Sequence, residues 1–287
     1  MNPRGSLEAA ASQAWSGPGA RGTARRAGRW ALDRAGGSTL ALKLAGGFAL
    51  LGAWEAVVRE FAPRYVAKPS SVLTAIPQML ADPPFLQATW ATLSAVMEGL
   101  AIALVAGTVV GLAMGRVQLV NRFLQFYVNG LYAMPMVAIL PPFALWFGFG
   151  GATRLAIVIF AAFFPIALNA SDGARSVPPE FLEVGRAYRA RRRDVWFDIT
   201  LMSALPYLIA GARLAAGRAL NGTVLAEIYE SIPGMGMYIL ANARGLKQNE
   251  AVVGVLLMCG LGLLFEGLMN WILRRWFPWY RRDERQD

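Results

Sequence analysis

The sequence predicts an all-α membrane protein that crosses the bilayer about six times. Hydrophobic residues make up 56% of the 287-residue chain and charged residues only 16%, whereas soluble domains carry about 25% charged residues. Apolar stretches of roughly 20 residues recur, and each is long enough to cross the hydrocarbon core as a helix. These stretches do not alternate between apolar and polar residues, as the strands of a membrane barrel would.

Six stretches define the predicted spans, and polar segments define the rest of the chain. The spans cover about residues 40–58, 89–114, 123–147, 155–170, 207–228 and 251–273. Residues 1–38 are rich in Gly, Ala, Ser and Arg without an apolar face, so we expect a disordered basic tail, although this composition also fits a transit peptide. Residues 39–275 then form one transmembrane domain with a polar loop at 171–206, and residues 276–287 form a second tail.

The distribution of basic residues predicts which side of the membrane each loop faces. Six spans place both termini on the same side. Most of the 28 lysines and arginines lie in the two tails, in the 116–122 linker and in the 171–206 loop, and few lie in the alternate loops. Basic residues collect in cytoplasmic loops, so we expect both termini and the 171–206 loop in the cytoplasm. The net charge of +10 therefore indicates contact with anionic lipid rather than with nucleic acid.

Prolines single out the third span as a candidate wall of a transport pathway. The span contains Met134-Pro135-Met136 and Pro141-Pro142, and proline removes a backbone donor. A broken helix at membrane depth is tolerated where it is buried in protein or lines a water-filled cavity; an ordinary kink is the alternative. The pathway candidates from this span are Met134, Pro135, Met136 and Phe147, although such side chains also fill membrane cores.

Two carboxylates and a row of glycines mark other positions in the spans. Glu98 lies within the second span and Glu227 near the end of the fifth. Ionisable residues at such positions are functional candidates, so both join the pathway candidates; the alternative for Glu98 is a place at an interface or beside an arginine. Gly107, Gly111 and Gly115 recur at four-residue spacing and predict a face for close helix contact.

Several classes of site are excluded by the residue types that the sequence lacks. The chain has no histidine and one cysteine, Cys259, so we expect no disulfide, no Cys/His zinc site and no histidine-based catalysis. No GxxxxGK[ST] phosphate loop occurs, so the chain is not expected to hydrolyse ATP. An intramembrane enzyme would need paired carboxylates, and Glu98 and Glu227 are predicted near opposite ends of the spans. We therefore predict a protein that is not an enzyme and holds no metal or cofactor.

The polar segment from Pro178 to Pro206 has the pattern of a helical docking element. Its sequence PPEFLEVGRAYRARRRDVWFDI predicts one or two short helices, because prolines suit a first turn and acidic residues favour a helix N-terminus. Apolar side chains recur at helical spacing in both halves of this segment. Two interpretations remain open from the residues alone. The segment either docks a cytoplasmic partner or lies on anionic lipid as an amphipathic helix.

This segment resembles the EAA loop of the inner-membrane permeases of binding-protein-dependent ABC importers. Glu183-Val184-Gly185 stands at the Glu-Ala-Ala position, and Ile199 and Leu201 match the end of the pattern. Arg189 stands where the family has glycine, and Met202 where it has proline. Further segments are similar to the nitrate/sulfonate/taurine branch in matching order, over about residues 85–275: LPPFALWFGFG, GARSVPPEFLEVGRAY, ALPYLIAGARLAAGRAL and VLAEIYESIPGMGMYIL.

The resemblance implies a type I ABC importer permease in the bacterial inner membrane, with a set of partners. Two permease copies would form a pathway at their interface. Two cytoplasmic ATPase subunits, which use the ATP, would each receive one coupling helix, and a periplasmic or lipid-anchored binding protein would deliver a small solute. The coupling residues implied are Glu183, Val184, Gly185, Arg186, Ala187, Tyr188 and Arg189.

Three expectations complete the sequence-based description. Because a non-glycine residue is disfavoured at positive φ, we expect the coupling helix to continue through Arg189. Arg213 and Arg218 either attract an anionic substrate or extend to the inner headgroups. Because we place both in the cytoplasmic half, we favour extension to the headgroups or contact with the coupling segment, Pro178–Pro206. The alternative function is an ATP-independent channel or carrier, which an inverted repeat would support; we find no convincing repeat.

Overall fold

The computed structural model describes residues 42–63 and 66–276, and every regular element in these residues is a helix. The tails predicted at 1–38 and 276–287 lie outside the described residues, apart from residue 276. Helix α1 covers residues 42–61 and belongs to a unit of its own, Met1–Pro63. Within α1, Arg59 Nε donates a 2.6 Å hydrogen bond to Glu55 Oε1, one helical turn away.

Within residues 66–276, nine further helices belong to the second unit. In chain order they are α2 Pro69–Leu80, α3 Pro83–Arg116, α4 Gln118–Ala133, α5 Met136–Phe147, α6 Gly151–Arg175, α7 Pro179–Ala187, α8 Arg192–Tyr229, α9 Met235–Arg244 and α10 Gln248–Trp276. Within the described residues, α3, α6, α8 and α10 are each long and apolar enough to cross a membrane, and α4 with α5 would make a fifth span if the bent pair counts as one. The total of six spans, the domain bounds and the cytoplasmic placement of both termini stay predictions.

Helices α3, α6 and α8 form the centre of this unit. Their shared core is built from small and branched residues, including Val96, Ala103, Val158, Ala162, Ile166, Ala215 and Ala219. The predicted glycine face is confirmed as a contact between α3 and α6. A methyl group added at Gly107 would lie 2.9 Å from Ile166 Cβ, and one added at Gly115 would lie 2.5 Å from Ala174 Cβ. The two helices therefore approach too closely for side chains between them.

The third predicted span is broken rather than kinked. Helices α4 and α5 meet at an angle of 105°, and Met134 and Pro135 between them are both extended, with ψ of 135° and 125°. A residue before proline is disfavoured in the helical region, and Pro135 has no N–H to continue the ladder. By contrast, Pro141 and Pro142 lie inside α5 without ending it.

The polar segment is shorter than the sequence predicted. Helix α6 continues to Arg175, and α8 already begins at Arg192, so the predicted loop of 171–206 contains only one separate helix, α7. The second apolar group of this segment, Trp196, Phe197 and Ile199, belongs to the start of α8. There Val195–Leu201 forms a π-helical stretch, a wide turn that often marks functional positions in helices.

Candidate functional site

Helix α7, the predicted coupling helix, presents an apolar side to its surroundings. Phe181 and Val184 are each 54% exposed and Tyr188 is 84% exposed, and their spacing of three and four residues places them on one side of the helix. Glu183 and Arg186 are also exposed. Large exposed apolar groups on a short helix indicate a surface that binds another protein or a membrane.

Gly185 joins α7 to the beginning of α8. It is buried, and a methyl group in its place would lie 3.3 Å from Ile199 Cδ1 and 3.7 Å from Val195 Cγ2. Both neighbours belong to the π-helical stretch of α8. The absence of a side chain at Gly185 therefore lets α7 rest directly on α8, so that a displacement of one helix reaches the other.

Arg189 adopts the conformation that glycine usually supplies. The expectation that the helix continues through it is wrong: α7 ends at Ala187, and Arg189 has φ +49°. The Arg189 N–H donates to the Arg186 carbonyl at 3.0 Å, and the Ala190 N–H donates to the Gly185 carbonyl at 2.8 Å. This pair of bonds defines a Schellman motif, which satisfies two helix carbonyls despite the strained residue.

The break between α4 and α5 lies beside a cavity of about 340 Å³. Met134 and Met136, on either side of Pro135, both line it, and so do Arg218 and Asn221 of α8. The broken helix thus borders an open space, as the pathway hypothesis requires of irregular backbone at membrane depth. The structure brings together these two methionines with two polar residues of α8.

The two arginines of α8 have different partners. Arg213 Nη1 donates to Asn270 Oδ1 of α10 at 3.1 Å. The guanidinium carbon of Arg218 lies 4.0 Å from the centre of the Tyr132 ring. The side chain of Arg218 therefore lies against α4 at the cavity, and extension to the inner headgroups stays a prediction for both arginines.

Glu227, a pathway candidate, is fully buried in a network of hydrogen bonds. Thr92 Oγ1 of α3 donates to Glu227 Oε1 at 2.7 Å, and the backbone N–H of Gly236 donates to Oε2 at 2.8 Å. Arg154 of α6 completes the network, with Nη1 3.4 Å from Glu227 Oε1. This geometry argues against a place for Glu227 on the pathway surface, because its oxygens face donors within the protein.

The Glu227 network fixes the N-terminal end of α9 to the three central helices. The Met235 N–H donates to Thr92 Oγ1 at 2.8 Å, so two otherwise unpaired N–H groups at the start of α9 find acceptors. A methyl group at Gly234 would overlap the Glu227 carboxylate. The network therefore requires glycine at this position, and it connects α3, α6, α8 and α9 at the side that the charge distribution predicts to face outward.

The remaining pathway candidates are not among the residues that line the 340 Å³ cavity. Phe147 lines an adjoining apolar groove of about 650 Å³, which shares Phe160 and Phe164 with that cavity. Glu98 is exposed on α3, and it is not among the partners of Glu227. No cluster of three or more potential metal ligands occurs within residues 42–63 and 66–276.

Comparison with known proteins identifies the family. The sequence profile of a family described as the inner membrane component of binding-protein-dependent transport systems matches residues 84–278. The chain belongs to this family. It is a permease subunit of a binding-protein-dependent ABC importer and a multi-pass protein of the bacterial plasma membrane. The match begins in α3 and extends through α10, so it includes α7 and leaves out α1 and α2.

Similar permeases carry names that refer to several solutes. The taurine transport system permease protein of Escherichia coli is 27% identical over 88% of this chain and 93% of its own. The putative aliphatic sulfonates transport permease protein of Bacillus subtilis is 29% identical over 60% of this chain and 63% of its own. The bicarbonate transport system permease protein of Synechococcus elongatus is 28% identical over 66% and 68%. These matches confirm the resemblance to the nitrate/sulfonate/taurine branch.

The fold of the permease also matches a solved structure. A chain from the methionine ABC transporter MetNI, in inward-facing conformations, superposes with a TM-score of 0.59 at 19% identity, over 67% of this permease and 95% of that chain. This match confirms the predicted all-α fold of an ABC importer permease.

Sequence reasoning missed Thr92, Arg154 and Asn221. A threonine and an asparagine in a span are too common to attract notice. Arg154 was counted only as a loop charge at the start of the fourth span, whereas α6 begins at Gly151 and draws it into the protein. Their positions follow from contacts between residues far apart in the chain, for which one sequence carries no periodic signal.

Proposed function

We propose that two copies of this permease form a pathway for a small solute with an anionic group, driven by ATP hydrolysis in two separate cytoplasmic ATPase subunits. Supporting the solute class are the similar permeases named for taurine, aliphatic sulfonates and bicarbonate. A periplasmic or lipid-anchored binding protein delivers the solute. The permease itself is not an enzyme and holds no cofactor.

The observation that carries this proposal is the exposed apolar side of α7. Phe181, Val184 and Tyr188 lie on the side predicted to be cytoplasmic and contact nothing that would bury them. Buried Gly185 holds α7 against α8, so an ATPase that moves α7 also moves a helix that lines the cavity. Binding and movement are thus combined in one short helix, as alternating access requires.

The test is a charge placed in the apolar side of α7. In Val184→Asp we expect the affinity-tagged permease to lose its co-purifying ABC ATPase, because burial of an unpaired carboxylate at an interface is strongly unfavourable. Trp90→Ala is the matched control: Trp90 of α3 is 70% exposed but lies at the opposite end of the unit. Recovery of ATPase by mass spectrometry and ATP-driven uptake in proteoliposomes are both measured.

Substitutions at Gly185, on the buried side of α7, distinguish binding of the ATPase from transmission of its movement to α8. Gly185→Leu should leave the exposed side of α7 intact while it displaces α7 from Ile199 and Val195 of α8. We expect ATPase to be retained but its stimulation to be uncoupled from uptake, whereas Gly185→Ala should be nearly neutral because the terminal carbon of Ile199 can yield. Normal uptake by Gly185→Leu would contradict the coupling role. Uptake that continues after ATP depletion would instead favour the ATP-independent carrier.

A further inference from the structure

Arg218 lies within α8, a helix long and apolar enough to cross a membrane, and has no acidic partner among the described residues. It is about 16 Å before the end of α8 at Tyr229, at the rise of an α-helix, and its side chain is exposed. Its guanidinium carbon stands 4.0 Å from the Tyr132 ring centre, and Nη1 is 3.5 Å from the Tyr132 carbonyl oxygen. Within the part of the chain that the structure describes, Arg218 forms no ion pair.

The space in front of Arg218 has the composition of an anion site. The cavity beside it is lined by Asn221, one turn further along α8, and by apolar or aromatic side chains of α4, α5 and α6. No acidic residue is among the described side chains that line it. The Arg218 guanidinium and the Asn221 amide therefore supply hydrogen-bond donors, and no carboxylate among the described lining residues competes for them.

The cost of an exposed charge indicates that this face of α8 meets water. An arginine near the bilayer centre costs at least about 2.5 kcal/mol on insertion scales, so such residues face a protein interior or a water-filled cavity. Contact with the Tyr132 ring holds the guanidinium plane by a cation–π interaction, while the N–H groups at its edge remain able to bind an oxyanion.

We propose that Arg218 and Asn221 form an anion-binding site in the translocation pathway, where they hold the oxyanion group of the solute during transport. This inference rests on the proposed function and adds the residues that select the charge of the solute. The chemistry suits a singly charged oxyanion such as a sulfonate or bicarbonate. Flexible Met134 and Met136 at the helix break border the same space and contact the apolar part of the solute.

Arg213 provides a matched control on the same helix. It carries the same charge, but it is partly buried and donates to Asn270 of α10. Its replacement removes one positive charge from α8 without removing a group from the cavity. Any effect that follows from net charge alone should therefore appear in both Arg213→Gln and Arg218→Gln.

The single cysteine of the chain permits a direct measurement of the local potential. Cys259→Ser gives a cysteine-free permease, and Leu131→Cys then places one thiol in the lining of the same cavity while both proposed ligands, Arg218 and Asn221, stay in place. The assembled transporter in proteoliposomes is treated with two methanethiosulfonate reagents, one bearing a sulfonate and one bearing a trimethylammonium group. After normalisation to a free thiol, we expect the anionic reagent to react about tenfold faster, which corresponds to about 1.4 kcal/mol of attraction.

The controls decide whether Arg218 causes this preference. Arg218→Gln should abolish it, and Arg218→Lys, which keeps the charge, should retain most of it. Arg213→Gln should leave it unchanged. Millimolar methanesulfonate or bicarbonate should slow the reaction at Leu131→Cys, whereas choline should not. Size-exclusion profiles confirm that each variant folds.

Two results would overturn the anion site: no reaction of either reagent in the assembled transporter, or a charge preference that survives Arg218→Gln. These results are independent of the proposed function, which is measured by ATPase recovery and ATP-driven uptake. A transporter that retains ATP-driven uptake but shows no preference refutes the site alone. The opposite outcome refutes the proposed function alone: the preference for the anionic reagent disappears with Arg218→Gln, but the permease neither binds an ATPase nor needs ATP for uptake.

Discussion

Replacement of Arg189 by glycine should stabilise the end of the coupling helix. Arg189 has φ +49°, and a left-handed conformation costs a residue with a Cβ about 1–2 kcal/mol. Glycine removes this strain, but it also gives the unfolded chain more freedom, which offsets about 0.4–1 kcal/mol. The net gain in Arg189→Gly is therefore about 0.5–1 kcal/mol, or a two- to fivefold shift in the local opening equilibrium.

Amide hydrogen exchange measures this shift at the bonds that the turn forms. The N–H groups of Arg189 and Ala190 donate to the carbonyls of Arg186 and Gly185, so in Arg189→Gly both amides should exchange about two- to fivefold more slowly. Arg189→Ala removes the guanidinium but keeps a Cβ at positive φ, so it should give no such gain. Ser231→Gly is a second control, because Ser231 has φ 52° at the end of α8 and should protect only its own turn.

The comparison of glycine with alanine decides whether the backbone causes the effect. Equal slowing in Arg189→Ala and Arg189→Gly would mean that charge repulsion, not backbone strain, destabilises the turn. Unchanged or faster exchange in Arg189→Gly would refute the strain itself. A change of ATPase stimulation in Arg189→Gly alone would show further that the coupling turn depends on this conformation.

Two further predictions concern the outer end of the helical unit. Gly234→Ala forces a methyl group against the buried Glu227 carboxylate and should lower the unfolding free energy by about 2 kcal/mol, as measured by thermal unfolding in detergent. Gly260→Ala is the control, because a methyl group there meets no atom within 4 Å and should not lower the unfolding free energy. Equal destabilisation by both substitutions would refute the steric explanation for Gly234. Burial, reinforced by the Asp82 carboxylate that accepts its hydroxyl at 3.3 Å, raises the pKa of Tyr238 above its ordinary value of 10.0. Because the folded-state pKa of Tyr238 is raised, its contribution to the unfolding free energy is complete below pH 10.0 and is lost as the pH rises through the folded-state pKa. Tyr238→Phe should therefore lose less stability at alkaline pH than the unmodified protein. An unchanged dependence of stability on pH would contradict the raised pKa of Tyr238.

The fold was predictable from the sequence because membrane insertion imposes a one-dimensional rule. Each long apolar stretch had to form a helix, and the four-residue spacing of Gly107, Gly111 and Gly115 identified a contact face that the structure confirms between α3 and α6. The prolines also marked this span as a candidate for a break, but they did not decide between Pro135 and the Pro141-Pro142 pair. The angle of the break, 105°, was not predictable, since proline alone is compatible with a modest kink.

The arrangement of the site was less predictable because it depends on contacts distant in sequence. Glu227 looked like a pathway residue until Thr92, Arg154 and the start of α9 were found around it. The contact of Arg218 with the Tyr132 ring of α4 was likewise not predictable, because the two residues are 86 positions apart in the chain. At Arg189 the preference of non-glycine residues for negative φ did not decide the conformation. The Schellman hydrogen bonds and the contact of Gly185 with α8 stabilise the turn despite the positive φ of Arg189.

The missing layer of side chains between α3 and α6 has a mechanical consequence. At Gly107 and Gly115 the two helices are in close contact, with no side chains between them that could rearrange. A shift of one helix along the other by one turn would therefore cause steric clashes. The pair of helices α3 and α6 is therefore stiff. The Glu227 network binds α8 to this pair at one end of α8, and α7 packs on the other end. Under the proposed function, we expect a displacement of α7 to tilt α3, α6 and α8 together, and we expect the chain to bend at the Met134–Pro135 break, which borders the cavity.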